Sequence, residues 1–299
     1  MGDKGRYLKG EITVPARINR VGIVGYGVVG KAMKTLFPGA EVYDTAPGLP
    51  ADRAAINACD AAFVCVPTPP MPDGSCDVSA VEETVAWLAT PLIVLRSTVP
   101  PGTTERLAQR FGKSLVFQPE YLGETNAHPY ADPREASFIV LGGNEADCAA
   151  VADLYAPLFH SSTRFHFTDT RTAELAKYME NCFFAAKVVF CAEFFRIAKS
   201  MGVSYPMLRE IWLADGRICP DHTFVYPDRL GFDGKCLPKD LSAIIYAATA
   251  LGYRPRLLEA VAEVNAGLRR EAEAAGRKPA VSGPDATFDG SKAAGRAPT

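Results

Sequence analysis

The stretch Arg20–Met33, RVGIVGYGVVGKAM, decides the fold. After Arg20, the run Val21–Val24 is apolar and leads into three glycines at the spacing GxGxxG, and a helical pattern, Val29–Phe37, follows. A strand, a tight glycine turn and a helix in this order are typical of a dinucleotide-binding unit. Gly25 would form the turn, Gly27 would let the backbone approach a pyrophosphate, and Gly30 would let the helix pack on the strand. The alternative is a glycine-rich turn in another α/β fold.

A carboxylate follows at the position where such a unit binds ribose. The second apolar run ends at Asp44, nineteen residues after Gly25. An acid there would accept hydrogen bonds from the adenosine ribose hydroxyls and would disfavour a 2′-phosphate. The helix N-terminus at Val28 and Val29 would face the phosphates. The sequence therefore predicts NAD as the cofactor.

Outward from this unit, short apolar runs alternate with helical patterns. The alternation predicts an α/β fold with a Rossmann-like, doubly wound parallel sheet. The runs are apolar throughout, as expected of strands that are covered on both faces. The predicted strands are Arg20–Val24, Glu41–Tyr43, Ala61–Val66, Leu92–Arg96, Ser114–Gln118 and Phe138–Leu141, with helices such as Val29–Phe37 and Val78–Ala89 between them.

The second part of the chain has a helical pattern. Ala173–Ser200 predicts one long helix, about 42 Å at 1.5 Å per residue, that is apolar on most of its circumference. Such a helix must be buried in a helical core or against a second subunit. Shorter helices are predicted at Pro206–Ala214, Lys239–Gly252 and Arg254–Arg270, around the proline-containing loop Asp215–Pro238. We predict a Rossmann-like domain over 1–169, a mostly helical domain over 170–270 and a disordered tail over 271–299.

Composition narrows the class of protein. The 299 residues are 48% apolar and 22% charged, with 32 basic against 34 acidic residues and a net charge of −2. There is no basic excess of the kind that nucleic acid or an anionic membrane surface attracts. No apolar run is long enough for a membrane span and no signal peptide is visible. The eight cysteines form no CxxC pair, so we expect reduced thiols, a cytoplasmic location and no metal site.

Loops after the predicted strands carry candidate site residues. Ser97 and Thr98 follow the fourth strand, in RSTVPPGT, and their hydroxyls could face a bound cofactor or cap the next helix. Glu120 and Glu124, in QPEYLGET, are four residues apart and could order a water, or could be two surface glutamates.

Two further motifs fall in the helical part. Lys177 and Asn181, in AELAKYMEN, are four apart on a stripe that is otherwise apolar, so either they serve a site or the lysine extends to solvent. Cys236, in GFDGKCLPKD, precedes Pro238, which favours the first turn of a helix. The helix dipole and the flanking Lys235 and Lys239 would lower the pKa of this thiol and favour a nucleophile over an inert cysteine. Asp240 is four residues further on.

Together these motifs resemble the UDP-glucose/GDP-mannose dehydrogenase family from Arg20 to about Leu268. The resemblance implies a Rossmann-like NAD domain, a helical domain and a homodimer built around the helix 173–200. The motifs that carry it occur in order and are GYGVVG, VPTP, RSTVPPGT, PEYL, AELAKYMEN and GKCLPKD.

The resemblance also implies a reaction. A sugar C6 alcohol, most simply that of UDP-glucose, would be oxidised to a carboxylate in two hydride transfers, for polysaccharide biosynthesis. Cys236 would form a thiohemiacetal and then a thioester, with Lys177 and Asn181 stabilising the oxyanion. Asp240 would handle protons with a water that Thr98 and Glu120 position. The implied cofactor contacts are Gly25, Gly27, Val28, Val29, Gly30, Asp44, Val66, Pro67, Thr68, Ser97 and Thr98. The implied substrate contacts are Glu120, Tyr121, Leu122, Glu124, Lys177, Asn181, Arg217, Arg229, Phe232 and Lys239.

Two departures from the family stand out. Full-length members carry a third, C-terminal α/β domain, so we expect a short member in which the loop 218–232 compensates, together with Arg217, His222, Tyr226 and Arg229. The family's GFGG reads GFDG here, and Asp233 tolerates left-handed backbone geometry but adds a negative charge near a phosphorylated substrate.

Three other functions stay open. One is oxidation of another nucleotide or nucleotide sugar, such as GDP-mannose or a UDP-N-acetylhexosamine. The second is a two-electron hydroxyacid dehydrogenase of the 6-phosphogluconate type, which would need no cysteine. The third is an inactive NAD-binding scaffold, against which the intact Cys236, Lys177, Asn181 and Asp240 argue.

Overall fold

The computed structural model describes residues 17–122 and 132–274. In this part of the chain a seven-stranded sheet precedes a set of packed helices. The strands are β1 (Val21–Val24), β2 (Glu41–Tyr43), β3 (Ala61–Val64), β4 (Leu92–Leu95), β5 (Ser114–Phe117), β6 (Phe138–Gly142) and β7 (Arg164–Thr168). The helices are α1 (Val28–Leu36), α2 (Arg53–Asn57), α3 (Ser79–Trp87), α4 (Thr103–Phe111), α5 (Glu145–Tyr155), α6 (Thr170–Ser200), α7 (Tyr205–Leu213), α8 (Leu237–Ala250) and α9 (Arg256–Ala274).

The sheet has the order β2-β1-β3-β4-β5-β6-β7. From β1 the strand order runs to β2 on one side and through β3 to β7 on the other, so the order reverses between β1 and β3, which pair in parallel. Ligands of open α/β sheets bind at such a switch point. The Rossmann-like α/β prediction is confirmed. One pair departs from the predicted parallel sheet, because β5 and β6 are antiparallel and share the single register pair Phe117 and Gly142.

Both faces of the sheet are covered, which is why its strands are apolar throughout. Phe63 and Val94 belong to the core on one face. Their neighbours Val64 and Leu95 belong to the core on the other. Successive strand side chains point to opposite faces. In a strand between two helical layers every side chain is therefore buried, and a polar one would be buried too.

Several strands end earlier than predicted. Val66, Arg96 and Gln118 lie beyond the ends of β3, β4 and β5 and belong to loops at the carboxyl edge of the sheet. Strand β7 was not predicted, because its sequence RFHFT mixes polar with aromatic residues at the exposed edge. The residues that end the predicted strands are therefore those available to a site.

Helix α6 begins at Thr170, three residues before the predicted start. The side chain of Asp169 caps it by accepting a hydrogen bond from the Thr172 amide at 2.8 Å. One side of α6 is buried against α8 and α9, where Ala185 and Val189 pack in a common apolar cluster. The opposite side is exposed in the single chain and carries large apolar residues: Met179, Phe183, Phe190, Phe194 and Ile197.

The helix α9 corrects the predicted start of the tail. It continues through Ala274, so the disordered tail predicted from Glu271 does not begin there, and residues 275–299 lie outside the described part. None of the helices in the two described ranges combines the length and apolarity that crossing a bilayer requires.

Candidate active site

The glycine turn after β1 is packed against protein at two positions and open at a third. Gly25 has a left-handed φ of +91°, and a Cβ there would lie 2.6 Å from the carbonyl oxygen of Cys65. A Cβ on Gly30 would lie 1.9 Å from the Gly25 oxygen, so glycine alone lets α1 approach the turn. At Gly27, apart from the adjoining residues of the chain, no atom of the described residues lies within 4 Å of the Cβ position. The turn therefore presents open backbone at its middle glycine.

That open backbone adjoins the start of α1 and a carboxylate. The N-cap of α1 is Gly27, which offers no side-chain cap, and the following Val28 is 63% exposed. Asp44 accepts hydrogen bonds from the amides of Tyr26 at 2.6 Å and Ala46 at 2.7 Å. An uncapped helix N-terminus suits a phosphate and the carboxylate suits ribose hydroxyls. These residues fit a dinucleotide.

The loops after β3 and β4 are bonded to each other at the same edge. The Ser97 hydroxyl donates to the carbonyl of Val66 at 2.7 Å, and the Thr68 hydroxyl donates to the carbonyl of Thr98 at 2.8 Å. Neither Ser97 nor Thr98 caps the helix that follows, so the alternative of a capping role is not what the structure shows. Together with the exposed Pro67, these residues border the switch point.

Lys177 and Asn181 of α6 contact each other and a carboxylate of α8. The Lys177 ammonium donates to Asn181 Oδ1 at 3.3 Å, and Asn181 Nδ2 donates to Asp240 Oδ2 at 2.5 Å. The other oxygen of Asp240, which is 1% exposed, pairs with the ammonium of Lys239. Lys177 is mostly buried and also lies 3.5 Å from Glu180, so it does not extend to solvent. Two helices thus join one polar network.

Cys236 lies one helical turn from this network. It is the exposed N-cap of α8, with Pro238 in the first turn, at the helix N-terminus that the sequence predicts. Its carbonyl accepts the Asp240 amide hydrogen bond at 2.9 Å. The thiol and the buried carboxylate are therefore carried by the same rigid turn.

Glu120 is held by a partner that the sequence did not suggest. Its carboxylate forms a buried ion pair with Arg96, and it also accepts the Leu122 amide at 2.6 Å. Arg96 immediately follows β4, and a charged residue directly after a buried strand was the available signal. A buried charge requires such a partner, so Arg96 fixes where the Glu120 carboxylate lies.

Tyr121 links this loop to the helix network. The Lys177 ammonium lies 4.9 Å from the centre of the Tyr121 ring, within the range of a cation–π contact. Burial raises the pKa of the Tyr121 phenol, and the nearby Glu180 adds to the effect. Glu124, the second predicted glutamate, lies outside the described residues.

Tyr178 is another residue that sequence reasoning missed. It is fully buried beside Cys76 and Ala243, and its hydroxyl has no hydrogen-bond partner among the described residues. Burial raises the pKa of its phenol, and the carboxylate of Asp240 raises it further. Its position next to Lys177 was the only signal in the sequence.

The substrate residues predicted in the long loop are dispersed. Arg217 is exposed and pairs with Asp215 at 2.6 Å, and Arg229 is exposed. Phe232 is buried in the apolar cluster of α6, α8 and α9, away from solvent. The structure therefore brings together the Cys236 helix, Lys177, Asn181 and Asp240, but it places neither arginine in a contact with them.

The backbone at Asp233 is not in the left-handed conformation that aspartate was expected to tolerate there. In the described ranges His222 is the one residue other than glycine with positive φ, so Asp233 needs no left-handed conformation. Its carboxylate pairs with Arg269 of α9 at 2.6 Å. The predicted extra charge is thus compensated within the chain.

Comparisons with known proteins agree with this geometry. The sequence model of the UDP-glucose/GDP-mannose dehydrogenase family, NAD binding domain, matches residues 50–159. The model of the family's central domain matches residues 171–267, a range that contains Lys177, Asn181, Cys236 and Asp240. The glycine turn and Asp44 precede the matched ranges, so their assignment depends on the contacts described above.

Individual relatives are longer than this chain. A putative UDP-glucose 6-dehydrogenase, YtcA, of Bacillus subtilis is 32% identical over 226 residues, which is 71% of this chain and 52% of the relative. The UDP-glucose 6-dehydrogenase AglM of Haloferax volcanii is 34% identical over 256 residues, 75% of this chain and 58% of the relative. The chain thus spans about half the length of the curated relatives it matches. The structure of a UDP-glucose dehydrogenase from Pyrobaculum islandicum superposes with a TM-score of 0.75 at 27% identity, over 87% of this chain and 71% of that one.

Proposed function

The chain belongs to the UDP-glucose/GDP-mannose dehydrogenase family, and from this premise we propose that it oxidises the C6 primary alcohol of a nucleotide sugar to a carboxylate with NAD. We propose UDP-glucose as the preferred substrate, since the relatives reported above carry that name. The observation that carries the proposal is the network Lys177–Asn181–Asp240, one helical turn from the exposed Cys236.

The nucleophile is Cys236. An alcohol can become an acid without releasing its aldehyde only if a nucleophile holds the aldehyde carbon between the two oxidations. The Cys236 thiolate adds to that carbon and gives the oxyanion of a thiohemiacetal. Loss of a hydride from this carbon leaves a thioester, and water then hydrolyses the thioester to the carboxylate and restores the thiol.

The polar network serves the negative oxygen that develops when the thiolate adds. Lys177 supplies a positive charge, and Asn181 supplies an amide whose orientation is fixed by its bond to Asp240. Preorganised donors of this kind stabilise an oxyanion more effectively than mobile water. Asp240 takes up and returns the protons that the reaction releases and consumes. Glu120 and Thr98 position the water that hydrolyses the thioester.

Bound NAD would accept the hydride in each oxidation. The residues that hold it are the glycine turn with the start of α1 for the pyrophosphate, Asp44 for the adenosine ribose, and the loops at Val66–Thr68 and 97–98 beside them. This assignment matches the shape of the open turn, since Gly27 leaves room for a ligand against the backbone.

We further propose that the protein is a homodimer through α6. The exposed apolar stripe on α6 continues into a groove of about 530 Å³ that is lined by Phe183, Phe190, Leu257 and Val264. Apolar patches of this extent on a monomer usually mark an interface.

The eight cysteines are all free thiols, which supports a reducing, cytoplasmic location.

A screen of nucleotide sugars with NAD tests the proposal. UDP-glucose, GDP-mannose and UDP-N-acetylhexosamines would each be incubated with the protein, and NADH and product would be quantified. We expect two NADH for each substrate consumed, and a carboxylate product. One NADH with a ketone or aldehyde product would favour a two-electron dehydrogenase, and NAD binding without any turnover would favour a scaffold.

A further inference from the structure

The segment that leads to Cys236 is fastened to α9 by a buried amide. Asn265 Oδ1 accepts the Phe232 amide at 2.8 Å, and Asn265 Nδ2 donates to the Phe232 carbonyl at 3.1 Å. Gly231, at a φ of +86°, passes so close that a Cβ on it would lie 2.4 Å from Asn265 Oδ1. The backbone of residues 231 and 232 is therefore fixed relative to α9.

A second contact follows one residue later. Arg269 Nη1 lies 2.6 Å from Asp233 Oδ2, and the two side chains are only 25% and 30% exposed. Asn265 and Arg269 are four apart, so they share one face of α9. The region matched by the family's central-domain model ends at residue 267, before Arg269. Asp233 itself stands where the family pattern has glycine, so this pair distinguishes the chain from that pattern.

We propose that Asp233 and Arg269 form a clamp that sets the position of the Cys236 thiol, with Arg269 as a positioning residue. Only Gly234 and Lys235 separate Asp233 from Cys236, and Cys236 is already fixed on its other side by α8. The three residue steps from Asp233 to Cys236 span at most about 11 Å, so a shift of Asp233 is passed on to the thiol over a short stretch of chain. The pair also compensates the negative charge of the Asp233 carboxylate. This inference rests on the proposed function in assigning Cys236 as the nucleophile.

Steady-state kinetics with the nucleotide sugar and NAD give the first test. Arg269→Ala and Asp233→Ala should each lower kcat about tenfold, since small displacements of a reacting group are costly, and should leave the KM for NAD unchanged. The double variant should be no worse than either single variant, as expected of two residues that act through one contact. Arg269→Lys should recover most of the rate. Arg254→Ala, which breaks the exposed pair between Arg254, just before α9, and Glu259 in its first turn, is the control and should behave as wild type.

Alkylation by iodoacetamide gives a test that needs no turnover. The rate at Cys236 would be followed by mass spectrometry in the free protein, with Cys219, which is exposed in the single chain and lines the groove beside α6, as an internal reference for an unchanged interface. Arg269→Ala and Asp233→Ala should change the Cys236 rate severalfold and equally, and should leave Cys219 and the circular dichroism spectrum unchanged. Wild-type rates at Cys236, or single effects that multiply in the double variant, would overturn the clamp. If the wild type oxidises no nucleotide sugar, the proposed function fails, whereas the alkylation rates still decide on the clamp.

Discussion

A carboxylate that is almost completely buried is stable only where its partners are fixed, and Asp240 has partners on both oxygens. Asn181 donates to one oxygen and Lys239 pairs with the other. Removing one partner of such a buried carboxylate lowers the free energy of unfolding by more than removing one partner of an exposed ion pair does. The geometry of Asn181, and through it that of Lys177, is therefore set from α8.

The covalent role of Cys236 predicts the outcome of a conservative change. Cys236→Ser should lower acid formation on the order of a thousandfold or more, because a serine hydroxyl is a far weaker nucleophile than a thiolate. NAD binding should persist, since the glycine turn lies between β1 and α1 whereas Cys236 is the N-cap of α8. NADH production and NAD titration by fluorescence measure the two quantities.

The control for that experiment is the other exposed cysteine. Cys219→Ser should retain wild-type turnover, because Cys219 lies on the long loop, where its thiol contacts Asp221. Acid formation at the wild-type rate by Cys236→Ser would refute the covalent mechanism.

Asp44 predicts a preference between cofactors. Asp44→Asn should narrow the NAD-over-NADP preference in kcat/KM by about tenfold or more, since it removes the like-charge repulsion with a 2′-phosphate. The asparagine oxygen can still accept the part-buried Tyr26 amide, and the exposed Ala46 amide can bond to water instead, so the turn is preserved.

Asp60→Asn is the matched control for Asp44→Asn. Asp60 also accepts two backbone amides, those of Asn19 and Arg20, but at the amino end of β1, opposite to the proposed cofactor site. It should leave the cofactor preference unchanged. Equal use of NAD and NADP by the wild type would contradict this placement of Asp44.

Which of these residues the sequence could predict depends on how far apart their partners are. Lys177 and Asn181 are four apart on one helix, and Cys236 lies two residues before Pro238, so local spacing was enough to single them out. Arg96 pairs with Glu120 across 24 residues, and Arg269 pairs with Asp233 across 36. Nothing local marks such pairs, because the fold alone brings their charges together.

At the level of elements, α6 caps α4 through a buried glutamate. Glu174 accepts hydrogen bonds from the Gly102 amide at 2.5 Å, the Thr104 amide at 2.8 Å and the Thr104 hydroxyl at 2.6 Å. The N-cap residue Gly102 offers no side chain of its own. The carboxylate thus satisfies the free amides of α4, and its charge suits the positive end of the helix dipole.

Replacing this glutamate should loosen that junction. Glu174→Gln should lower the free energy of unfolding by about 1–3 kcal/mol, since the amide group would face a backbone donor without a partner. Glu105→Gln is the control, because Glu105 forms an exposed pair with Arg171 between the same two helices. Denaturant unfolding measures both, and equal stabilities for the two variants would contradict the capping role.

The difference in the free energy of unfolding between wild type and Glu174→Gln should depend on pH, and the pKa of Glu174 gives the direction. Burial raises the pKa of Glu174 above its ordinary value of 4.5, against the lowering effect of its hydrogen bonds. The folded state therefore retains a proton that the unfolded state releases, and stability falls as pH rises through this window. The stability difference between wild type and Glu174→Gln should narrow as pH rises above 4.5. A difference that widens over the same range would show that the native pKa is not raised.

Element boundaries were predictable where apolar periodicity was strong. The strands β1 to β6 and the helix α6 all lie where the sequence places them, within a few residues. Strand β7 was missed because its pairing with β6 at the sheet edge does not require an apolar run. The cap at Asp169 explains why α6 begins before its apolar stripe.

For the whole molecule, the proposed dimer is the property to measure. Light scattering at micromolar concentration should give twice the 32.1 kDa mass of the chain. Phe183→Asp, at the centre of the exposed stripe, should shift the mass to that of one chain with an unchanged circular dichroism spectrum, because a charge would be buried at the interface.

Phe167→Asp is the matched control for the dimer. Phe167 is an equally large and half-exposed phenylalanine, but it lies on β7, before α6 begins and outside the exposed stripe that starts at Met179. This variant should retain the mass of the wild type. A wild-type protein with the mass of a single chain would contradict a dimer through α6.

Helix α6 carries the Glu174 cap, the Lys177 and Asn181 pair and the outer phenylalanines along one axis. Their relative positions constrain the number of residues in the helix rather than its composition. Each residue of a helix turns its successor by about 100°. One inserted or deleted residue between Glu174 and Lys177 would thus rotate everything that follows by that angle, and Asn181 would lose Asp240. An indel in this helix removes the site and its outer face together, whereas most single substitutions affect one of them.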